Sequence, residues 1–199
     1  MPRALLSDIG NVLVSFDFRP AAARFAERCP YSADDVLRRL DPLKVPLESG
    51  GLMGEEFVRR GMEIIRFDGS PGEFTAIWCD IFQTNTAMEH TLATLPAALP
   101  SYLLSNTSDL HKEHLLREFP VFRHFSSGVY SYLARSMKPD EAIFRTAIDS
   151  LGLVPGETLF VDDLAPNIAT AQRLGFITHH YDLNRHDAFE GDLRSWLSA

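Results

Sequence analysis

Four short apolar runs, each broken at its end by polar residues, restrict this chain more than any other feature. They are Ala4-Leu5-Leu6, Tyr102-Leu103-Leu104, Thr158-Leu159-Phe160-Val161 and Phe176-Ile177-Thr178, with a weaker fifth at Gly128-Val129-Tyr130. Short runs that stay apolar without alternating suit strands buried on both faces, as in a parallel sheet. Between the later runs the periodicity is helical. Ile143, Phe144, Ala147 and Ile148 share one face of Glu141–Leu151, and Ile168, Ala171 and Leu174 share one face of 166–174. Strand–helix alternation of this kind predicts an α/β fold, a doubly wound Rossmann-like parallel sheet.

The alternation is interrupted after the first strand. From Phe18 to Leu95 the pattern reads as helical throughout, with helix starts at Ser32-Ala33-Asp34-Asp35, Gly54-Glu55-Glu56 and Pro71-Gly72-Glu73. Gly50-Gly51 and Asp68-Gly69-Ser70-Pro71 punctuate this stretch without dividing the chain into independent domains. The expected organisation is therefore a core of residues 1–17 and 96–199, with an α-helical cap over 18–95 inserted after the first strand. A chain of 199 residues, 45% hydrophobic, is long enough for such a core and insert.

A formal net charge of -8 argues against nucleic acid or an anionic membrane as the main partner, while leaving a small anionic substrate open. Cys29 and Cys79 have neither metal-type nor redox-type spacing, which predicts a reducing compartment, and Cys79 reads as a small buried hydrophobe. The first apolar run is too short for a signal core or a membrane span, so the expected location is cytoplasmic.

The polar residues that end the runs are the chemical candidates. Asp8 follows the first run, Ser105-Asn106-Thr107 the second and Asp162-Asp163 the third. Ligands of open α/β sheets bind at the carboxyl ends of the strands, so these residues should meet on one rim. Each has an ordinary reading: Asp8-Ile9-Gly10-Asn11 as a turn, Asp162-Asp163 as a helix cap, Lys138 as a solvated lysine. Two adjacent acids at a buried strand end repel each other unless a cation joins them, and a third carboxylate on the same rim asks for a hard cation such as Mg²⁺. Elsewhere, His179 and His180 read as structural or surface residues, Arg59-Arg60 as a solvated helix face, and Phe57, Phe74, Trp78 and Phe82 as the core of the insert.

In order, these motifs resemble those of the haloacid dehalogenase-like hydrolases over nearly the whole chain. The motifs are Leu5-Leu6-Ser7-Asp8-Ile9-Gly10-Asn11-Val12-Leu13, Ser105-Asn106, Lys138-Pro139-Asp140 and Asp162-Asp163 with Asn167. They look most like the branch holding α-D-glucose-1-phosphate phosphatase-like enzymes and the N-terminal phosphatase domain of soluble epoxide hydrolases. The resemblance implies a Mg²⁺-dependent phosphatase for a small phosphorylated metabolite, of the sugar phosphate class, acting through an aspartyl-phosphate on Asp8. It implies that Asp8, the Gly10 carbonyl and Asp163 ligate the metal, with Asp162 acting through water. Ser105 and Asn106 would hold phosphoryl oxygens, Lys138 would neutralise Asp8 and the transferring group, and Asn167 would orient the acidic pair. The cap would act as lid and substrate selector. Gly10 departs from the family, which usually carries a second Asp there as acid and base. Either a cap residue or water then supplies the proton, or the substrates are esters that leave well unaided. The rival readings are a metal-independent dehalogenase, which the acidic pair disfavours, and a catalytically weak binding or regulatory protein, which the retained Asp8, Ser105 and Lys138 disfavour.

Overall fold

The computed structural model describes residues 3–198. Strand β1 (Ala4–Ser7) leads into β2 (Val14–Phe16), and then into helices α1 (Phe18–Ala26), α2 (Ala33–Glu48), α3 (Gly54–Ile65) and α4 (Pro71–Cys79). Strand β3 (Phe82–Thr84) and helix α5 (Thr86–Ala93) return the chain to the sheet. There follow β4 (Ser101–Ser105), α6 (Asp109–Glu118), β5 (Ser127–Tyr130), α7 (Ser131–Ala134), α8 (Glu141–Leu151), β6 (Thr158–Asp162), α9 (Ala165–Arg173), β7 (Ile177–His180) and α10 (His186–Ser198).

The five main strands form a parallel sheet in the order β5-β4-β1-β6-β7. Side chains alternate across it: Leu5, Leu103 and Leu159 enter one cluster, and Leu6, Leu104 and Phe160 enter another with Ile143 and Phe144 of α8 and Ile168 of α9. Central β1 is where the strand order reverses, so a crevice opens at its carboxyl end.

The insert has its own core, built on Phe25, Phe57, Phe74 and Trp78, with Cys79 buried beside them. Its caps follow the sequence closely. Ser32 Oγ accepts from the Asp35 amide at 3.2 Å, and Ser70 and Glu73 form a reciprocal capping box. The expectation that the insert is helical throughout is corrected by β3, which pairs antiparallel with β2 (Val14 opposite Thr84, Phe16 opposite Phe82). Phe82 thus lies on this two-stranded ribbon, half-buried between the core of the insert and that of the sheet. Helix α5 sends Met88 and Leu92 into a sheet-side cluster, so by packing the insert ends at the ribbon.

Candidate active site

Asp8 extends the sheet by one residue. Its amide donates to the Val161 carbonyl at 2.9 Å, which fixes the carboxyl at the tip of β1. The chain then turns sharply, with the Leu13 amide returning to the Ile9 carbonyl at 2.9 Å. Asn11 takes a left-handed φ of 52°, a conformation asparagine tolerates, and its Nδ2 donates to Asp163 Oδ2 at 3.0 Å. Gly10 sits in this turn facing the Phe16 ring, and an added Cβ would lie 3.0 Å from that ring.

Lys138 reaches the rim from the loop before α8. Its Nζ lies 2.8 Å from Asp8 Oδ1 and 2.6 Å from Asp162 Oδ2, and its side chain is only 1% exposed. Asn106 aims it. The Asn106 Nδ2 donates to the Lys138 carbonyl at 2.9 Å, and the Lys138 amide donates to Asn106 Oδ1 at 2.8 Å. Asp162 is held equally firmly: its Oδ1 accepts from the Leu164 amide at 2.9 Å and from Asn167 Nδ2 at 2.8 Å. Ser105 is buried at the end of β4.

The carboxylates of Asp8, Asp162 and Asp163 each offer an oxygen within 4.8 Å of the others. One lysine cannot balance three such charges. Burial pushes Asp8 up to about 6, opposed by Lys138 and reinforced by Asp162. Burial also raises Asp163, opposed by Asn11. Burial alone would depress Lys138, but Asp8 and Asp162 together outweigh it and hold the ammonium above its ordinary value. The donor set is hard oxygen with a deficit of positive charge, which fits a divalent cation of the Mg²⁺ type. With its pKa raised to about 6, Asp8 is mostly ionised at neutral pH.

The residues singled out at the strand ends gather at this rim; of the other candidates only His180 touches it. Arg59 and Arg60 are exposed and pair with Glu56 on the outer face of α3. His179 is buried, with Nδ1 2.8 Å from Asp192 Oδ2 on α10. His180 is exposed, with Nε2 2.9 Å from the Asp163 carbonyl. Three contributors escaped the sequence reading: Asn11, the clamp by Asn106 on the Lys138 backbone, and Glu48. The last belongs to the insert, yet it lines a cavity of about 70 Å³ with Gly10, Ser105 and Asn106. The local hint for Asn11 was its place beside Gly10, since such a pair favours turns.

A parallel sheet with a carboxylate, a buried lysine and an acidic pair at its switch point, covered by an inserted helical cap, defines a capped α/β hydrolase for a small anionic substrate. A sequence model described as haloacid dehalogenase-like hydrolase matches residues 2–175, and the chain belongs to that family. It is 27% identical over 187 residues to a D-ribitol-5-phosphate phosphatase of Bacteroides thetaiotaomicron, covering 89% of this chain and 91% of the relative. Among solved structures it resembles a HAD family enzyme of Bacteroides thetaiotaomicron in complex with magnesium and inorganic phosphate, with TM-score 0.77 and 26% identity over 92% of this chain and 96% of that one. It also resembles a predicted HAD-like family hydrolase from Porphyromonas gingivalis, with TM-score 0.82 and 28% identity over 98% of each chain. Among the described residues no helix is long and apolar enough to cross a membrane.

Proposed function

We propose that this protein is a Mg²⁺-dependent phosphatase that hydrolyses a small phosphate monoester of the sugar or sugar-alcohol class through an aspartyl-phosphate on Asp8. The observation that carries the reading is the buried rim itself, with Lys138 held between Asp8 and Asp162 and with Asp163 beside them. Phosphoryl transfer is governed by positioning and charge stabilisation, and this rim is organised for both. The phosphatase and magnesium-bound relatives support the same chemistry.

Asp8 Oδ1 is engaged by Lys138, which leaves the second carboxyl oxygen to attack phosphorus. Lys138 keeps Asp8 ionised and meets negative charge developing on the phosphoryl group. The metal would be held by Asp8, Asp163 and the Gly10 carbonyl. Asp162, whose oxygens already accept from Lys138, Asn167 and the Leu164 amide, would act on it through water. When bound, the cation supplies positive charge against the phosphoryl oxygens and relieves the repulsion among the carboxylates. Ser105 offers its hydroxyl to the phosphoryl group. The amide of Asn106 is engaged at both ends by the Lys138 backbone, so its contribution to a phosphoryl oxygen would come from its own backbone.

The cavity beside the rim is walled by Phe16, Phe18, Ile81 and Phe82 and, at about 70 Å³, has room for little more than the phosphoryl group. The test is a panel of sugar, sugar-alcohol and aryl phosphates, assayed with and without Mg²⁺. Turnover that needs Mg²⁺ and falls on small monoesters supports the reading. No turnover of any monoester with Mg²⁺ present overturns it.

A further inference from the structure

An ester oxygen departs as an alkoxide unless a proton reaches it while the P–O bond breaks, and a positioned acid contributes ~10²–10⁴-fold. None of the charged rim groups is free to give that proton. Asp8 is the attacking group, Lys138 is shared by two carboxylates, Asp162 is fully engaged as an acceptor, and Asp163 accepts from Asn11 and would hold the metal. Among the described residues, two other titratable side chains line the adjacent cavity, His111 and Glu48. His111 has Nε2 3.2 Å from the Trp78 carbonyl and stacks on the Trp78 ring, and burial holds it down at about 4. It is therefore neutral, with its one ring proton directed at Trp78.

Glu48 differs in every respect. It is the last residue of α2, so it belongs to the insert, but its backbone is fastened to the sheet side. Ser131 Oγ donates to the Glu48 carbonyl at 2.5 Å and accepts from the Thr107 amide at 2.9 Å, two residues beyond Ser105. Gly50 follows with φ 75°, and any Cβ there would lie 2.1 Å from the Tyr132 carbonyl oxygen. Gly54 closes the turn by donating its amide to Asp109 Oδ2 at 3.0 Å. The turn that carries Glu48 is thus clamped to α6 and α7. Its carboxyl, by contrast, has no hydrogen bond or ion pair among the described residues, and Glu48 lines the cavity shared with Gly10, Ser105 and Asn106.

We propose that Glu48 is the acid–base residue of the reaction, delivered to the sheet by the insert. This rests on the phosphatase reading above. In the first step an Asp8 oxygen forms a bond to phosphorus and the ester P–O bond breaks. The electron pair of that bond goes to the leaving oxygen, which takes the Glu48 proton and departs as the alcohol. In the second step water attacks the aspartyl-phosphate, Glu48 takes the water proton, the P–O bond to Asp8 breaks, and phosphate leaves with both carboxyls restored. The charge environment suits this exchange. Burial pushes Glu48 up to about 7, with Lys44 one turn earlier pulling it down and Asp8 across the cavity pushing it up. Lys44 is itself drawn aside, 4.8 Å from the Phe18 ring centroid and 3.2 Å from Asp41.

The test compares the parent with Glu48→Gln, in Mg²⁺, across aryl and alkyl phosphates of graded leaving-group pKa. In Glu48→Gln, kcat/KM should fall ~10²–10⁴-fold for alkyl esters, which need the proton, and stay near the parent value for dinitrophenyl phosphate, which does not. The dependence on leaving-group pKa then steepens. With dinitrophenyl phosphate the variant should also show a burst of phenolate, because dephosphorylation has lost its base. An active parent whose slope is unchanged by Glu48→Gln, or a uniform rise in KM for all esters, overturns the inference while the phosphatase reading stands. A parent inactive on every monoester overturns both.

Discussion

The sheet rim and the junction between insert and core are built on opposite plans. At the rim, strand ends deliver the short side chains of Asp8, Asp162 and Asp163, which are tied to Lys138, Asn11 or Asn167. At the junction a helix end delivers one long side chain, Glu48, whose backbone is clamped and whose carboxyl has no hydrogen bond or ion pair among the described residues. On the proposed mechanism, the first plan suits groups that must stay charged and fixed, and the second a group that must exchange a proton.

The largest effect should come at the rim. Asp8→Asn should reduce turnover by about 10³-fold or more, as loss of a nucleophile does, with the circular dichroism spectrum unchanged; near-parent turnover would remove Asp8 from the chemistry. Next, the acidic pair should split by role. Asp162→Ala leaves Lys138 with one carboxylate and orphans the Asn167 and Leu164 donors, so it should lower stability by about 3–5 kcal/mol. Asp163→Ala should spare stability and weaken Mg²⁺ binding more than Asp162→Ala does in protein that remains folded. Calorimetry and thermal unfolding together decide this, and equal effects of the two would dissolve the distinction.

The junction should also show an acid weakness. His111 is buried with its folded pKa depressed to about 4 from an ordinary 6.5. Below 6.5 the unfolded chain takes up a proton that the folded one refuses, so the His111 contribution is complete above that pH and is lost as pH falls towards 4. The loss amounts to on the order of 3 kcal/mol. His111→Phe should flatten the decline in stability measured between those pH values, and an unaltered decline would place the acid sensitivity elsewhere. The smallest effect should be that of Gly50→Ala, about 1–3 kcal/mol of stability, because the methyl cannot fit against the Tyr132 carbonyl at positive φ. If the clamp positions Glu48, this variant should also lower kcat on alkyl phosphates more than on activated aryl phosphates; equal losses would uncouple the clamp from the chemistry.

How far the sequence foretold these regions follows the same division. A parallel strand is buried on both faces, so its apolar run and the polar residue that ends it are visible without knowledge of any partner. Residues 4–6, 102–104 and 158–161 therefore located β1, β4 and β6 to within a residue or so, and with them Asp8, Ser105 and Asp162. The ribbon of Val14–Phe16 with Phe82–Thr84 stayed hidden, because each strand has three residues and their pairing spans most of the insert. Glu48 stayed hidden for a related reason. In sequence it is one acid at the end of a long polar helix, and the contacts that fasten its turn to the sheet side, from Ser131 to Glu48, Tyr132 against Gly50 and Asp109 to Gly54, come from residues far along the chain. The Asn106 clamp on Lys138 likewise joins residues 32 positions apart, and no local pattern announces it.

The claim on which the rest depends is that Asp8 carries the phosphoryl group during turnover. Rapid acid quench of the protein mixed with Mg²⁺ and an activated aryl phosphate, followed by peptide mass spectrometry, reads this directly. The account predicts one added phosphoryl group on the peptide containing Asp8, present in the parent, accumulated in Glu48→Gln and absent in Asp8→Asn. Turnover by the parent with that peptide unmodified at every quench time, or with the phosphoryl group on another residue, would contradict it.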